Sequence, residues 1–487
     1  MSQEIRNLEP KALWNQFADL NAVPRPSKKE EQVIQFMKDF GNRLGLETFE
    51  DEIRNVIIRK PATPGMENRK PIVLQGHLDM VHQKNNDTVF DFETQGIEMY
   101  VDGDWVRAKG TTLGADNGLG VAAIMAVLES TDIPHPAIEA LFTIDEETGM
   151  TGALNLQGGI LQGQILLNLD TEEDDEIDIG CAGGIDVTAT AEYDEEDTPE
   201  GSVGYSITVK GLQGGHSGMD IHKGLGNANK IMNRLLFDGF DNFGLQIASI
   251  AGGSLRNAIP RESVAKVIIA AVYDEAFVFD MQQIVNEIKA EFKTTEPNLE
   301  IVFEKLTEVP AKVMPSIAQF YFVRSMYTAH NGVYRMSADF DNLVETSNNI
   351  AKVIVGEGQL TVQCLTRSSV ESSKMDLANA LRSAFELMGC EVEFSGAYPG
   401  WTPNPKSEIL DVLVGIYEKQ NNAKPNVVAC HAGLECGILG TNYPEMDMIS
   451  FGPTIHGAHS PDERASISSS QKFWKFFLEI LASIPAK

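Results

Sequence analysis

Five short stretches place acidic and histidine side chains close to the ends of apolar segments. They read QGHLDM at 75–80, TTLGADNGLG at 111–120, TIDEETGM at 143–150, LLNLDTEED at 166–174 and HGAHSPDE at 456–463. Three of them follow apolar runs that are typical of buried strands, so their carboxylates should gather at one edge of a sheet. Carboxylates that are buried together repel one another unless a cation neutralises them. The pattern therefore predicts a divalent metal cluster.

The first stretch carries a histidine and an aspartate one residue apart. Side chains alternate along a strand, so His77 and Asp79 should point to the same side. A carboxylate beside an imidazole orients the ring and fixes its tautomer, and metal sites use such pairs. A histidine that is hydrogen-bonded at a strand end would give the same pattern, so the pair alone does not decide between the two interpretations.

The other stretches also admit interpretations without a metal. An Asp-Glu-Glu run such as 145–147 is typical of solvated surface, and Asp170 could cap a turn. The segment 118–123 fits the dinucleotide fingerprint G-x-G-x-x-A. That fingerprint needs a strand that runs straight into the glycines, whereas the preceding strand is predicted to end near Lys109. A nucleotide-binding oxidoreductase is therefore a distant alternative.

The elements that must position these residues alternate between strands and helices. Apolar periodicity predicts strands at 55–59, 71–75, 137–144 and 164–169, and a helix at 120–130. This βαβ alternation predicts an α/β fold with a mostly parallel central sheet. In such sheets ligands bind beyond the carboxyl ends of the strands.

The texture of the chain changes near Asp186. The acidic stretch YDEEDTPEG at 193–201 has the composition of a crossing between domains. Strands predicted at 204–210, 263–271 and 298–303, with a helix at 226–237, follow it. We therefore expect a catalytic domain formed by 1–186 and 396–487 and an inserted α/β domain formed by 187–395.

Composition limits the partners and the compartment. A net charge of −31 argues against nucleic acid as a partner. The first twenty residues carry charges throughout, and no apolar run is long enough to span a bilayer. The five cysteines form no Cys-x-x-Cys pair, so they predict neither a disulfide framework nor a zinc ribbon. A cytoplasmic location is expected.

Taken in order, these stretches resemble a known family. The motifs are QGHLDMV, KGTTLGADNG, CAGGID, GGHSGMDIH, RNAIPRE, AYPGW, HAGLECG and AHSPDE. They are similar to motifs of the co-catalytic zinc peptidases, which include aminoacylase, carboxypeptidase G, peptidase T and the carnosinases. The resemblance runs essentially from end to end. It implies an α/β catalytic domain with an inserted lid domain that also serves dimerisation.

The resemblance also implies a metal centre and a catalytic base. Two zinc ions, for which manganese or cobalt could substitute, would be held by five ligands: His77, Asp116, Glu147, Asp170 and His459. Asp116 would bridge both ions. Asp79 would orient His77, and Glu146 would be the general base. His456 competes with His459, but the family ligand directly precedes the Ser-Pro-Asp-Glu segment.

Substrate contacts are implied for the inserted domain. His216 would help to stabilise the oxyanion of the intermediate. Asn257 and Arg367 resemble substrate-contacting positions, and Arg367 could pair with the C-terminal carboxylate of a peptide. A surface salt bridge is an equally good interpretation of Arg367. The resemblance leaves His431 and Glu435 in HAGLECG unassigned.

The function implied is metal-dependent hydrolysis of dipeptides, among them Xaa-His dipeptides, by a cytoplasmic homodimer. A tripeptidase or an N-acyl amino acid amidohydrolase is the near alternative. A catalytically silent binding or dimerising relative is a more distant one. The complete set of five ligands and a base argues against the silent relative.

Overall fold

The structure is a computed structural model that describes residues 3–85, 87–340, 342–404 and 406–487. It divides into two compact units. The first comprises Met1–Gly180, Pro403–Ala429 and Leu434–Lys487, and the second comprises Cys181–Thr402 and Cys430–Gly433. The sequence pattern did not predict that the short segment 430–433 belongs to the second unit.

The acidic stretch 193–201 does not connect the two units. It lies inside the second unit, where it follows the strand Gly183–Glu192, and its segment Glu196–Asp197 pairs with Lys312–Val313. The prediction of a domain crossing at this stretch is therefore wrong. Its charges and its Pro-Glu-Gly turn belong to a largely exposed connection between strands of one unit.

The sheet of the first unit places several strand ends side by side. Within the described residues its order is Glu47–Glu50, Val56–Lys60, Ile138–Thr143, Ile72–His77, Ile165–Asn168, Asp447–Ser450, Glu176–Cys181 and Asn426–Cys430. The third to sixth strands run parallel, and the first two pair antiparallel. The first two are joined by the short segment 51–55, which allows only antiparallel neighbours. His77, Thr143 and Asn168 consequently end at the same edge.

Helices and a small sheet complete the first unit. A four-stranded antiparallel sheet has the order Ile455–His456, Arg464–Ser466, Trp105–Ala108 and Met99–Asp102. The helices are Gln3–Arg6, Lys11–Leu20, Glu31–Arg43, Ala115–Glu129, Glu146–Gly149, Thr151–Asn155, Glu408–Asn421, Glu435–Asn442 and Ile467–Ser483. Every residue from 117 to 128 of the helix Ala115–Glu129 is buried, as expected for a helix that is apolar all round.

The second unit is built on an antiparallel sheet. In the described part of the chain its order is Glu300–Lys305, Ser202–Lys210, Ser263–Ala270, Gln246–Gly252, Val344–Gly356, Gln359–Ser368, Gly183–Glu192 and Glu391–Tyr398, and Gly332–Met336 pairs with the fifth strand. The principal helices are Ala228–Phe243, Asp274–Phe292, Ser316–Thr328 and Glu371–Glu386. Side chains such as Leu235, Phe277, Val353 and Phe385 form its apolar core.

Across the described ranges, no helix combines the length and the apolar content that crossing a membrane would require.

Candidate functional site

His77 is the last residue of a fully buried strand, and its ring is fixed by Asp79. The Nδ1–H donates to the backbone carbonyl of Asp79 at 3.2 Å, and the Asp79 carboxylate lies 3.4 Å from the same nitrogen. The other ring nitrogen, Nε2, therefore faces the carboxylates of Asp116 at 3.1 Å and Asp170 at 3.6 Å. Two carboxylate oxygens close to an imidazole lone pair require either a proton or a metal ion among them.

The sequence predicted Glu146 and Glu147 at the end of a strand, but the structure places them in a short helix. The strand ends at Thr143, Asp145 has positive φ, and both glutamates lie in the first turn of the helix Glu146–Gly149. The Asp79 carboxylate accepts the backbone N–H groups of Glu146 at 3.0 Å and Glu147 at 3.3 Å. Asp79 thus fixes both the His77 ring and the backbone of the two glutamates.

Asp116 joins two groups of possible metal ligands. Its Oδ1 faces His77, and its Oδ2 lies 3.3 Å from His459 Nε2, which is also 2.9 Å from Glu147 Oε2. Asp170 completes the group that contains His77. Among the described residues, His77–Asp116–Asp170 and Asp116–Glu147–His459 each bring one ligand atom per residue within 4.8 Å of the others.

Two further groups satisfy the same distance criterion. His77, Glu146 and Glu147 form one of them, and Glu30, Asp79 and Asp145 form the other. The carboxylate of Glu146 is 4.0 Å from His77 Nε2, farther than those of Asp116 and Asp170. Asp145 is held by the hydroxyls of two threonines, Thr148 and Thr151, which donate to its carboxylate.

Burial and mutual repulsion dominate the electrostatics of this cluster. Burial raises the pKa of Glu146 and of Asp170 well above the usual range of carboxyl groups, and nearby carboxylates add to the increase. Burial also raises the pKa of Asp116, but hydrogen bonds from His459 and His77 outweigh it and the net pKa is lowered. Hydrogen bonds to Asp116 and Glu147 raise the pKa of His459 to about 11. The cluster therefore attracts positive charge.

The donor atoms fit a metal centre. Asp170 Oδ1 and Glu147 Oε1 are buried and have no hydrogen-bond partner among the described residues. A buried oxygen that lacks a partner is unfavourable by about 1–3 kcal/mol, or more when it is charged, and a cation would satisfy it. The donor set of imidazole nitrogen and carboxylate oxygen, without thiolate, suits zinc and also manganese or cobalt.

His456 is not part of any of these groups of possible metal ligands. The Nε2 of His456 is 3.2 Å from Glu173, and its ring packs on Trp105.

Gly118 and Gly120 lie within a helix rather than in a strand-to-helix turn. A Cβ on Gly118 would stand 2.6 Å from the Arg25 guanidinium, and one on Gly120 would stand 2.3 Å from the Leu169 carbonyl. These glycines allow close packing within the protein, which removes the support for a dinucleotide site.

Glu435 lies beneath the cluster in a buried polar network. Its Oε2 accepts hydrogen bonds from Gln75 at 2.6 Å and from the Thr143 hydroxyl at 2.7 Å. Asn168 donates to Gln75 at 2.5 Å, so the network runs along the carboxyl ends of neighbouring parallel strands. Burial raises the pKa of Glu435 to about 7.

The predicted substrate residues His216 and Arg367 lie in the second unit. The Nδ1 of His216 accepts the backbone N–H groups of Gly218 at 3.3 Å and Met219 at 3.1 Å, so the neutral ring carries its proton on Nε2. Burial lowers the pKa of His216 to about 4, and the charge of Arg367 contributes. His216 is thus a neutral ring with an N–H to donate.

Arg367 is buried in the second unit together with His431. Its guanidinium donates to the Tyr398 hydroxyl at 2.7 Å, and its Nε has no partner among the described residues. The interpretation of Arg367 as a surface salt bridge is therefore wrong. His431 Nε2 lies 2.8 Å from the Ser347 hydroxyl, and burial lowers the pKa of His431 to about 3.

Asn257 is exposed in the second unit. Its backbone carbonyl accepts the N–H of Ser217, directly after His216. The structure thus places Asn257 beside the His216 segment through its backbone, and among the described residues its side chain makes no hydrogen bond that would define a role.

Two buried residues beside the cluster, Glu463 and Arg25, were not predicted from the sequence. Glu463 accepts hydrogen bonds from the loop that leads into Asp116, and Arg25 donates to the backbone of Leu78, Asp79 and Gly114. Glu463 is the last residue of the HSPDE segment, where a glutamate between charged neighbours looks like surface. Arg25 lies in a proline-rich turn that has no periodicity.

Comparisons with known proteins identify the family of the chain. A family model, described as peptidase family M20/M25/M40, matches residues 73–483. The chain belongs to this peptidase family. The family resemblance predicted from the motifs is confirmed.

Two dipeptidases match this chain over almost its whole length. The cytosol non-specific dipeptidase of Escherichia coli (strain K12) is 44% identical over 99% of this chain and 100% of the relative. The crystal structure of aminoacylhistidine dipeptidase from Vibrio alginolyticus is 45% identical, covers 99% of both chains and has a TM-score of 0.94. Aminopeptidase PepT from Bacillus cereus ATCC 10987 covers 98% of this chain and 99% of its own at 16% identity and a TM-score of 0.57, which shows a shared fold.

Proposed function

We propose that the chain is a dipeptidase that uses two divalent metal ions, with zinc as the preferred ion. The observation that carries the proposal is the pair of ligand groups that share Asp116, one completed by His77 and Asp170 and the other by Glu147 and His459. Such a shared carboxylate is the arrangement expected of a two-metal site.

The residues around this centre divide the chemistry. The metal ions would supply Lewis acidity and a lowered pKa for the attacking water. Glu146 accepts the proton of that water and passes it to the leaving amine, because its carboxylate lies beside the two ligand groups, 4.0 Å from His77 Nε2. Asp79 holds the His77 ring and the backbone of Glu146, so that base and ligand keep a fixed geometry.

The second unit supplies groups for a polar substrate. His216 donates its Nε2–H to the oxyanion of the intermediate, a role that suits a ring that stays neutral near pH 7. The buried guanidinium of Arg367 binds the C-terminal carboxylate of the dipeptide, because its Nε retains a hydrogen to donate. Asn257 contributes to substrate binding near His216.

The substrate class follows from the relatives. The Escherichia coli and Vibrio alginolyticus relatives are named as dipeptidases, the latter as an aminoacylhistidine dipeptidase. We therefore propose unblocked dipeptides as substrates, with Xaa-His dipeptides among them. A cytoplasmic location follows the name of the first relative, and a homodimer is the family expectation.

The test is hydrolysis of Ala-His and β-Ala-His by the protein before chelation, after exhaustive chelation and after zinc is returned. Activity that disappears with the metal and returns with zinc supports the proposal. No cleavage of either peptide by zinc-loaded protein would exclude it. A tripeptide and an N-acetyl amino acid are included, because faster cleavage of either would assign the chain to a different substrate class.

A further inference from the structure

Glu463 is a buried carboxylate that is surrounded by backbone N–H groups. Its Oε2 accepts the N–H of Leu113 at 2.6 Å and of Gly114 at 2.9 Å. Its Oε1 accepts the N–H of Ala115 at 2.7 Å and of Asp116 at 3.4 Å. The residue is 2% exposed. One side chain therefore binds four successive amides of the segment that ends in Asp116.

These four amides could not be satisfied within their own helix. The helix Ala115–Glu129 begins in this segment, and the first N–H groups of a helix have no intrahelical acceptor. The residue that precedes the helix, Gly114, has no side chain that could accept these N–H groups. Successive N–H groups at a helix start form a concave anion site, and Glu463 fills it from a distant part of the sequence.

Arg25 binds the same segment through its carbonyl side. Its guanidinium donates to the Gly114 carbonyl and to the carbonyls of Leu78 and Asp79, both at 3.1 Å. Gly114 has φ +67°, and a Cβ there would stand 2.6 Å from the guanidinium. Two buried charges of opposite sign, Glu463 and Arg25, thus hold the peptide groups on either side of Gly114. The positive φ and the close guanidinium leave no room for a side chain at this position.

Glu463 also belongs to the segment that carries His459. The backbone N–H of Glu463 donates to the carbonyl of Ser460 at 3.0 Å, which closes a compact turn directly after His459. His459 has positive φ, so its backbone conformation needs support from its neighbours. A single carboxylate therefore connects the turn after His459 to the backbone of Asp116.

We propose that Glu463 is a positioning residue for the metal centre, which sets the separation of Asp116 and His459 by binding the backbone of one ligand segment from the turn of the other. This inference rests on the proposed function for the roles of Asp116 and His459. Both carboxylate oxygens of Glu463 accept backbone N–H groups, so it acts by limiting the positions that the two ligands can take before an ion binds.

Three variants of the full chain test the proposal. Glu463→Gln keeps the size of the side chain but turns an NH₂ group toward backbone N–H groups. Glu463→Asp keeps the charge but is one methylene too short to span four amides. Glu139→Gln is the matched control, because Glu139 is also buried, accepts the backbone N–H groups of Gln162 at 2.6 Å and Gly163 at 2.9 Å, and lies at the opposite end of its strand from Thr143.

The main readout is the affinity for Zn²⁺ alone, measured by competition with a chromophoric chelator. We expect both Glu463 variants to lose about 10- to 100-fold in affinity, the usual range for residues that support metal ligands. Glu139→Gln should keep the affinity of the unaltered protein. With saturating zinc and Ala-His, the Glu463 variants should lower kcat more than they change KM.

Each other outcome overturns a defined statement. Unchanged zinc affinity in Glu463→Gln, or an equal loss in Glu139→Gln, would overturn the positioning role. Full affinity in Glu463→Asp would show that charge alone suffices and would also overturn it. Unaltered protein that binds zinc but cleaves no dipeptide would exclude the proposed function alone, and the affinities would still decide the role of Glu463. Unaltered protein that binds no zinc would overturn both.

Discussion

The pKa values of two histidines in the first unit and of two histidines in the second are shifted in opposite directions. In the first unit, carboxylates raise the pKa of His459 to about 11 and also raise that of His77. In the second unit, burial beside Arg367 lowers the pKa of His216 to about 4 and that of His431 to about 3. The same side chain is therefore a cation in one environment and a neutral donor in the other.

The difference comes from the charges that each unit places around its imidazoles. Carboxylates surround the rings of the first unit, and two of their buried oxygens have no hydrogen-bond partner in the described ranges. Those rings call for a cation, whether a proton or a metal ion. In the second unit a guanidinium already supplies the positive charge, so a second one is disfavoured. The first unit is suited to holding metal, and the second is suited to binding an anionic group.

Replacement of Glu146, the proposed general base, should have the largest effect on activity. We expect Glu146→Gln to lower kcat for Ala-His by about 10²- to 10⁴-fold, because general base catalysis contributes on that scale. The zinc content of the variant should match that of the unaltered protein, as measured by elemental analysis. A parallel loss of zinc would instead identify Glu146 as a ligand.

Zinc should stabilise the first unit and leave the second unaffected. At a free zinc concentration 100 times the dissociation constant, one site adds about 2.7 kcal/mol to the free energy of unfolding. Hydrogen exchange should therefore slow at 113–116 and 146–147 on addition of zinc and stay unchanged at the strand Val344–Gly356. Equal protection in both units would contradict the assignment of the metal to the first.

Arg367 tests the anion-binding role of the second unit. Charge-assisted hydrogen bonds contribute about 1.5–3 kcal/mol, so Arg367→Gln should lower kcat/KM for Ala-His by roughly 10- to 150-fold. The amide of Ala-His, which lacks the C-terminal carboxylate, should be a poor substrate for the unaltered protein. It should lose little further activity in the variant. An equal loss with both substrates would show that Arg367 acts on the fold and not on the carboxylate.

Proton release should distinguish the two sets of histidines with the smallest signal. Zinc displaces protons from its ligands, so at pH 8 its binding should release a measurable number of protons from the first unit, where the pKa values of His77, His459 and Asp170 are raised. Calorimetric titrations in buffers with different ionisation enthalpies measure this number. His216 and His431 are already neutral and should contribute none. Binding without proton release would contradict the raised pKa values in the first unit.

The same pKa shifts give opposite effects of pH on the stability of metal-free protein. The raised pKa of His459 stabilises the fold below pH 6.5, and this contribution is lost as the pH rises toward 11. The lowered pKa of His216 contributes above pH 6.5, and that contribution is lost as the pH falls toward 4. Zinc removes the first effect because it replaces the proton.

Much of the sheet of the first unit could be predicted because its central strands are apolar and β-branched. The strands observed at Ile72–His77 and Ile138–Thr143 lie within two residues of the predicted ends. The helix Ala115–Glu129 begins five residues before its predicted start. Its first turn contains non-helical angles at Asp116 and Asn117, and its glycines hide the helical pattern.

The clustered acidic and histidine residues could be predicted from the sequence, because the chemistry of their side chains follows directly from the residue types. The helix at Glu146–Gly149 was missed, because the N–H groups of its first turn are bound by Asp79, a residue that is distant in the sequence. Glu463 was missed for a related reason. Its partners are backbone amides of a segment about 350 positions away, and backbone amides leave no mark in residue types. Arg25 likewise binds three carbonyls.

The order in which the ligands occur along the chain has a consequence for synthesis. His77, Asp116 and Asp170 all precede residue 171, whereas His459 follows about 290 residues later. At about 5–20 residues per second, a ribosome needs roughly 15–60 s to pass from one to the other. A nascent chain would therefore hold the three proposed ligands of one ion well before it could offer the proposed ligands of the second. The two halves of the proposed metal centre would become available at different times in the life of each molecule.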